Sequence, residues 1–347
     1  MEPMPTLTVD CQAIVENYCQ LQAVADKRCG AVVKASLYGT QAFSAVTGMA
    51  AAGCRDFFVA TASEADELYR HVALTQGQRL YVFNSDPHPC AGTRVINTAA
   101  EAQQADYIQA LHIDTGMNRF GISPTDLSHI DTSKLTDDCL ILTHLVESEV
   151  PGSPTTQQQI SDYHAAVALL EDRTPNHINL RTSIANSAGL FVPGADSQVA
   201  RPGYALYGGN PTPWTDNPMR PVVTLTAPIA QVRYLTAGAR VGYNGTWTAP
   251  KECWIATVGV GYADGWLRSG SGQAMAEYRG QLVPSVGRIS MDSMVILTGD
   301  TEPEVGDTVT LLGASPSLSV DAVASRAGTI GYEVLTSLGN RFQRRYV

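Results

Sequence analysis

The chain has 347 residues, 44% of them hydrophobic, and a formal net charge of −10. That length and apolar content provide for two domains, or for one large barrel with an appendage. The acidic balance and the lack of any Lys/Arg-rich run argue against a nucleic-acid or anionic-membrane partner, and no apolar stretch approaches a bilayer span. The opening Met1-Glu-Pro-Met-Pro has neither a basic nor an apolar signal region, so a cytoplasmic protein is expected. Seven scattered cysteines (11, 19, 29, 54, 90, 139 and 253) read as reduced thiols rather than a disulfide frame. Seven equally dispersed histidines contain no H-E-x-x-H, and no metal centre is expected.

From residue 8 to about 220, strands and helices alternate. Helical apolar spacing over 13–25 precedes a strand at 31–33. An alanine-rich helix over 41–52, a strand at 57–60 and an amphipathic helix over 62–71 follow. The alternation continues with a strand at 80–83, a helix near 99–105, strands at 111–113 and 140–144, a helix over 156–170, and short segments at 177–180 and 204–207. Six or more such units predict a parallel sheet covered by helices, either a doubly wound sheet or a compact (β/α)8 barrel. After the Pro-rich stretch 211–221 the texture changes. Short β-rich runs at 222–225, 229–234, 254–258, 281–286, 294–297 and 308–312 alternate with turn signals, and helical periodicity returns at 320–327. The expected division is a barrel over 1–220 and a smaller all-β domain over 221–347.

Four segments carry candidate chemistry. Lys34 ends the apolar run Ala31-Val-Val, and reads either as a surface charge or as a buried amine. Burial would lower its pKa and suit it to form a Schiff base with a carbonyl. Asp114-Thr-Gly-Met-Asn-Arg119-Phe-Gly follows a strand, where barrel active-site loops lie. Ala185-Asn-Ser187-Ala-Gly and Arg201-Pro-Gly203-Tyr204 place a hydroxyl and backbone amides after late strands, the position of phosphate cradles in such barrels. Gly259-Val-Gly261-Tyr262-Ala-Asp-Gly is not a dinucleotide fingerprint, since its spacing is wrong and no helix follows. Without a G-x-S-x-G, a serine hydrolase is also excluded.

Together these segments resemble the alanine racemase family of pyridoxal 5'-phosphate enzymes. AVVKASLYG, HIDTGMNRFG, Thr143-His144, ANSAG, RPGYALYG, VGYNGTW, VGVGYADG, VGRISMD and TIGYE occur in that order across nearly the whole chain. The resemblance implies an α/β barrel followed by a β domain, and alanine racemisation that supplies D-alanine for peptidoglycan. It implies that Lys34 bears the cofactor. Tyr38, Ser187, Gly203, Tyr204 and Tyr332 would bind its phosphate, Arg119 its phenolic side and the substrate carboxylate, and Arg201, supported by His144, its pyridine nitrogen. It further implies a homodimer in which Tyr262, the second catalytic base, and Met291 with Asp292 at the substrate carboxylate reach the partner's site.

The chemistry accounts for these residue types. Racemisation removes a proton from one face of the α-carbon and returns one to the other, so two bases on opposite sides are expected. In the family the lysine serves the D-enantiomer and the tyrosine the L-enantiomer. A tyrosine is a poor base at neutral pH unless a cationic network, here His144 with Arg201, favours its ionised form. Arginine only donates hydrogen bonds and so requires an unprotonated pyridine nitrogen, which weakens the ring as an electron sink and suppresses transamination. Three positions depart from the family pattern: His112 stands where a carbamylated lysine is common, Thr40 follows Tyr-Gly in place of histidine, and Ser183 likewise replaces a histidine. The alternatives are a serine or broad-specificity racemase, a decarboxylase, and a non-catalytic cofactor carrier. Tyr262 and the β domain speak against the carrier.

Overall fold

The structure is a computed structural model that describes residues 4–26, 29–84 and 90–347. Residues 1–3, part of the segment read above for targeting, lie outside the described residues. Parallel pairing joins Ala31–Val32, Asp56–Val59, Arg79–Val82 and Thr93–Arg94 in one sheet, and Ile108–His112, Leu135–Leu142 and Leu180–Ser183 in another. Two further parallel contacts turn these sheets into a ring. Ile96 pairs with Leu111, and Cys29 pairs with Ala200, reinforced by Gly30 N–H to Ala200 O (2.8 Å) and Val32 N–H to Pro202 O (2.9 Å). The segment through Ala200 is tied on its other side by Val199 N–H to Thr182 O and by Arg201 N–H to Ala185 O, so eight parallel segments close a barrel.

Helix placement follows local chemistry. Asp10 caps Cys11–Val24, accepting from Ala13 N–H at 2.7 Å, and Ala13, Ile14, Asn17, Tyr18 and Leu21 form its buried face. Ala62–His71 begins with a reciprocal capping box between Thr61 and Glu64. Ser153 caps Pro154–Arg173, whose proline occupies the first turn, where its missing N–H costs nothing. Two short expectations moved. The segment at 177–180 is strand only from Leu180, because Ile178 N–H closes a turn on Pro175. Tyr204–Tyr207 is a 3-10 turn, and the eighth barrel segment lies just before it.

The C-terminal region is β-rich, with two helices, Val320–Ala327 and Gly331–Ser337. The runs expected at 222–225 and 229–234 are one 13-residue strand, Val223–Leu235. Pro228, which made it read as two, sits where the strand passes from pairing with Thr308–Leu312 to pairing with Cys253–Val258. Val223–Leu235 also pairs with Thr6–Val9, which in turn pairs in parallel with Gln343–Tyr346. The first described strand is therefore hydrogen-bonded into the C-terminal sheet. Leu7 and Val9 on its inner face are fully buried. Leu7→Ala should lower the unfolding free energy by about 2–5 kcal/mol, read as a shifted urea midpoint; an unchanged midpoint would show that the strand contributes no anchoring.

Candidate active site

The barrel's C-terminal mouth opens into a cavity of about 440 Å³, within the range of small-molecule sites. Lys34, Tyr38, Arg119, His144, Ser187, Arg201, Gly203, Tyr204 and Tyr332 all line it, so the structure brings together every cofactor-binding residue expected from the sequence. His112 lines it as well. Tyr262, Met291 and Asp292 do not.

Lys34 leads into an unusual backbone. Ala35, Ser36, Leu37 and Tyr38 all have positive φ (53, 48, 56 and 53°), one turn of left-handed helix ending at Gly39 (φ 78°). Each non-glycine residue there costs roughly 1–2 kcal/mol, so the surroundings must hold the turn. Tyr38 is pinned by stacking on Tyr207, with ring centroids 4.7 Å apart. The lysine amine lies 5.9 Å from the Phe83 ring centre. Burial lowers the amine's proton affinity, the positive field of Arg119 lowers it further, and Glu64 opposes both. Burial and Arg119 both move the amine toward its neutral form, the form in which a lysine can act as nucleophile or base.

Opposite stands a cradle of amides and hydroxyls. The Ser187 Oγ accepts the N–H groups of Gly203 (3.0 Å) and Ala205 (3.2 Å). A Cβ on Gly203 would lie 2.1 Å from the Tyr38 hydroxyl, so only glycine lets this phenol reach the turn. The Tyr204 ring stacks on Tyr332 at 4.2 Å and its hydroxyl donates to Asp321 at 2.7 Å. Gly331 makes room for that hydroxyl, which a Cβ would meet at 1.6 Å. The C-terminal helices are thereby fastened to the rim of the barrel. Beyond Tyr204 and Tyr332, an outer cavity of about 570 Å³ continues past Ile330 and Glu149.

Arg201 is 4% exposed, and its guanidinium is met by oxygens alone. It donates to the Ser183 hydroxyl and the Thr143 carbonyl, and Ser183 in turn donates to Val199 O. Burial pulls its pKa down to about 10, which leaves it a cation at neutral pH. Burial and the field of Arg201 push His144 down to about 3. The cationic pair expected of His144 with Arg201 is therefore corrected: the positive charge belongs to Arg201, and the histidine is neutral. His112 is likewise pushed down to about 4, by burial first and Arg201 second. Its Nδ1 faces the Asn97 Oδ1 at 2.9 Å, while the Asn97 amide donates to the Phe83 and Val95 carbonyls. The Asn97 oxygen can only accept, so Nδ1 carries the hydrogen and Nε2 is left as an acceptor.

Tyr262 and Met291, 41% and 53% exposed, form one rigid unit on the C-terminal domain. Tyr262 N–H donates to Ser290 O (3.1 Å) and Ala263 N–H to Met291 O (2.9 Å). A Cβ on Gly261 would strike Met291 O at 2.4 Å. Buried Asp264 accepts from Gly261 N–H at 2.8 Å and pairs with Arg341, whose other arm holds Asp292 at 2.8 Å. Sequence reasoning missed Glu64, Asn97, Asp264, Asp321 and Arg341. Only Glu64 had a local signature, the T-x-x-E capping box.

The neutral histidines make a prediction. In the unfolded chain both rings take up protons near pH 6.5, whereas in the fold they stay neutral down to about 4 (His112) and about 3 (His144). The unfolded state binds more protons in this window, so stability falls as pH drops below about 6.5. Urea midpoints of the apoprotein should decline from pH 7 to 4.5, less steeply in His112→Asn. An equal slope in that variant would refute the assignment.

Comparison with known proteins agrees with this geometry. The family model "Alanine racemase, N-terminal domain" matches residues 9–211, and "Alanine racemase, C-terminal domain" matches 222–346. Alanine racemases of Acidiphilium cryptum and Methylobacterium nodulans are 43% and 41% identical, each over 98% of this chain and over 98% and 95% of the relative. The crystal structure of alanine racemase from Bartonella henselae with covalently bound pyridoxal phosphate superposes with a TM-score of 0.89 at 30% identity, covering 99% of both chains. With both domains matched and full-length relatives above 40% identity, this chain belongs to the alanine racemase family.

Proposed function

We infer that this chain interconverts L- and D-alanine with pyridoxal 5'-phosphate carried on Lys34. The observation that carries the reading is the cavity itself, which is lined by a lysine of lowered proton affinity, a hydroxyl-and-amide cradle and a buried guanidinium. The cofactor fits this donor set. Its phosphate would be held by Ser187, the amides of Gly203 and Tyr204, and the hydroxyls of Tyr38 and Tyr332; Arg201 would donate to its ring nitrogen. Bound there, it supplies an electron sink for the charge left when the α-proton departs. Because Arg201 can only donate, that sink stays weak, which favours return of the proton to the α-carbon.

Lys34 takes or returns the proton on one face of the substrate. Arg119 pairs with its carboxylate. The other face needs a second base, and Tyr262 does not line the cavity of its own chain. Its exposure and its backbone ties to Ser290 and Met291 support a role in the cavity of a second copy. A homodimer with two shared sites is therefore part of the proposal, as are a cytoplasmic location and a role in supplying D-alanine for peptidoglycan.

Lys34→Ala should lower racemisation by at least about a thousandfold and abolish solvent-deuterium exchange at the α-carbon of alanine. Exchange at the wild-type rate would end the assignment. Shared sites make a second prediction. Lys34→Ala and Tyr262→Phe chains, each inactive alone, should on unfolding and remixing in equal amounts regain about a quarter of wild-type activity, from the one intact site in each mixed dimer. No recovery would mean that both residues serve the same chain.

A further inference from the structure

We propose that Glu64 is a positioning residue for Lys34, its carboxylate fixing the left-handed turn that presents the amine to the cavity. The proposal rests on the reading of Lys34 as the cofactor-bearing base. A left-handed turn leaves its first N–H without an internal partner, and here that group is Ala35 N–H, next in the chain to Lys34. It donates to the Glu64 Oε1 at 2.8 Å. The other oxygen, Oε2, accepts from Ala60 N–H at 2.7 Å and from Thr61 N–H at 3.4 Å. One carboxylate thus spans the C-terminal ends of two neighbouring barrel strands, Ala31–Val32 and Asp56–Val59, the first leading into the lysine and the second into the cavity-lining Ala60. Glu67, one position short of a full turn further along the same helix, accepts from the Ser36 hydroxyl at 3.3 Å.

Within the turn itself the hydrogen bonds run from Leu37 N–H to Val33 O, Gly39 N–H to Ala35 O and Gln41 N–H to Ser36 O. These bonds engage groups other than Ala35 N–H, the donor of the peptide that follows Lys34, which Glu64 holds from outside the turn. Its charge also acts on the amine directly, against burial and Arg119. As a helix cap alone, Glu64 would need only its contact with Thr61; the bond to Ala35 N–H, 29 positions away, is what a cap does not require.

The test compares holoenzyme forms of the wild type, Thr61→Ala, Glu64→Ala and Glu64→Gln. For each, kcat and KM are measured in both directions. The fraction of chains in which borohydride fixes the cofactor to Lys34 is read by peptide mass. Thr61→Ala removes the other half of the capping box and should lower the melting temperature with kcat unchanged. Glu64→Ala should lower kcat roughly 10- to 100-fold in both directions with little change in KM, and slow the trapping at Lys34. Glu64→Gln, with one acceptor oxygen for three donors, should fall between. If Glu64→Ala matches Thr61→Ala in kcat and trapping, the residue is only a cap and the proposal is overturned. Should Glu64→Ala fail to fold, a wild-type kcat in Glu64→Gln overturns it equally, and a lowered one supports it. A wild type that neither racemises alanine nor traps the cofactor on Lys34 would overturn the functional reading itself, and this proposal with it.

Discussion

The guanidinium of Arg201 lies out of water beside the barrel mouth, and protein oxygens have to stand in for its lost hydration. Ser183 and the Thr143 carbonyl fill that role, drawn from two neighbouring strands, and Ser183 passes its own hydrogen to Val199 on the segment that closes the barrel. The charge is thereby built into the ring of strands. Its consequences reach outward. It adds to the burial that keeps His144 and His112 neutral, and it leaves the cavity with a permanent donor where a carboxylate would provide an acceptor. The character of the site is set by this one group more than by any residue that touches a proton.

Around it the cavity is assembled from parts whose positions are fixed by exclusion. Tyr38 reaches the Gly203 turn because no side chain occupies that space, and Tyr204 reaches Asp321 because Gly331 has none. The phenols are large and rigid, with few torsions to freeze, and stacking between Tyr38 and Tyr207 and between Tyr204 and Tyr332 holds them at small entropic cost. Barrel and C-terminal helices meet through these rings, so the cradle exists only where both are folded together.

Much of this was legible in the sequence, for identifiable reasons. Several of the parallel strands are apolar runs, and Phe57, Phe58 and Val59 are all buried, as such runs require. The cavity residues were marked by their motifs taken together: singly each could be a surface charge or a turn, and the ordered set, through its resemblance to the alanine racemases, assigned them. What stayed hidden was non-local. Glu64 sits in a T-x-x-E capping pattern, and nothing in its neighbourhood points to Ala35. Asn97 and His112 are 15 positions apart, and Asp264 and Arg341 further still. Pro228 misled in the opposite way, since a proline inside an apolar run reads as an interruption until the strand is seen to change partners there. The neutrality of His144 was also beyond reach, because it depends on burial and on a charge brought in by the fold.

The strand Thr6–Val9 lies between Val223–Leu235 and Gln343–Tyr346. During synthesis it leaves the ribosome well before either of its two hydrogen-bonding neighbours, which lie more than 200 positions further along the chain. Local βα units can form as they emerge, but the C-terminal sheet cannot be completed until nearly the whole chain is available, and such long-range pairing is slow. A nascent chain stalled before Gln343–Tyr346 would leave the Thr6–Val9 edge of the sheet unpaired, the kind of surface on which chaperones act and from which aggregation starts.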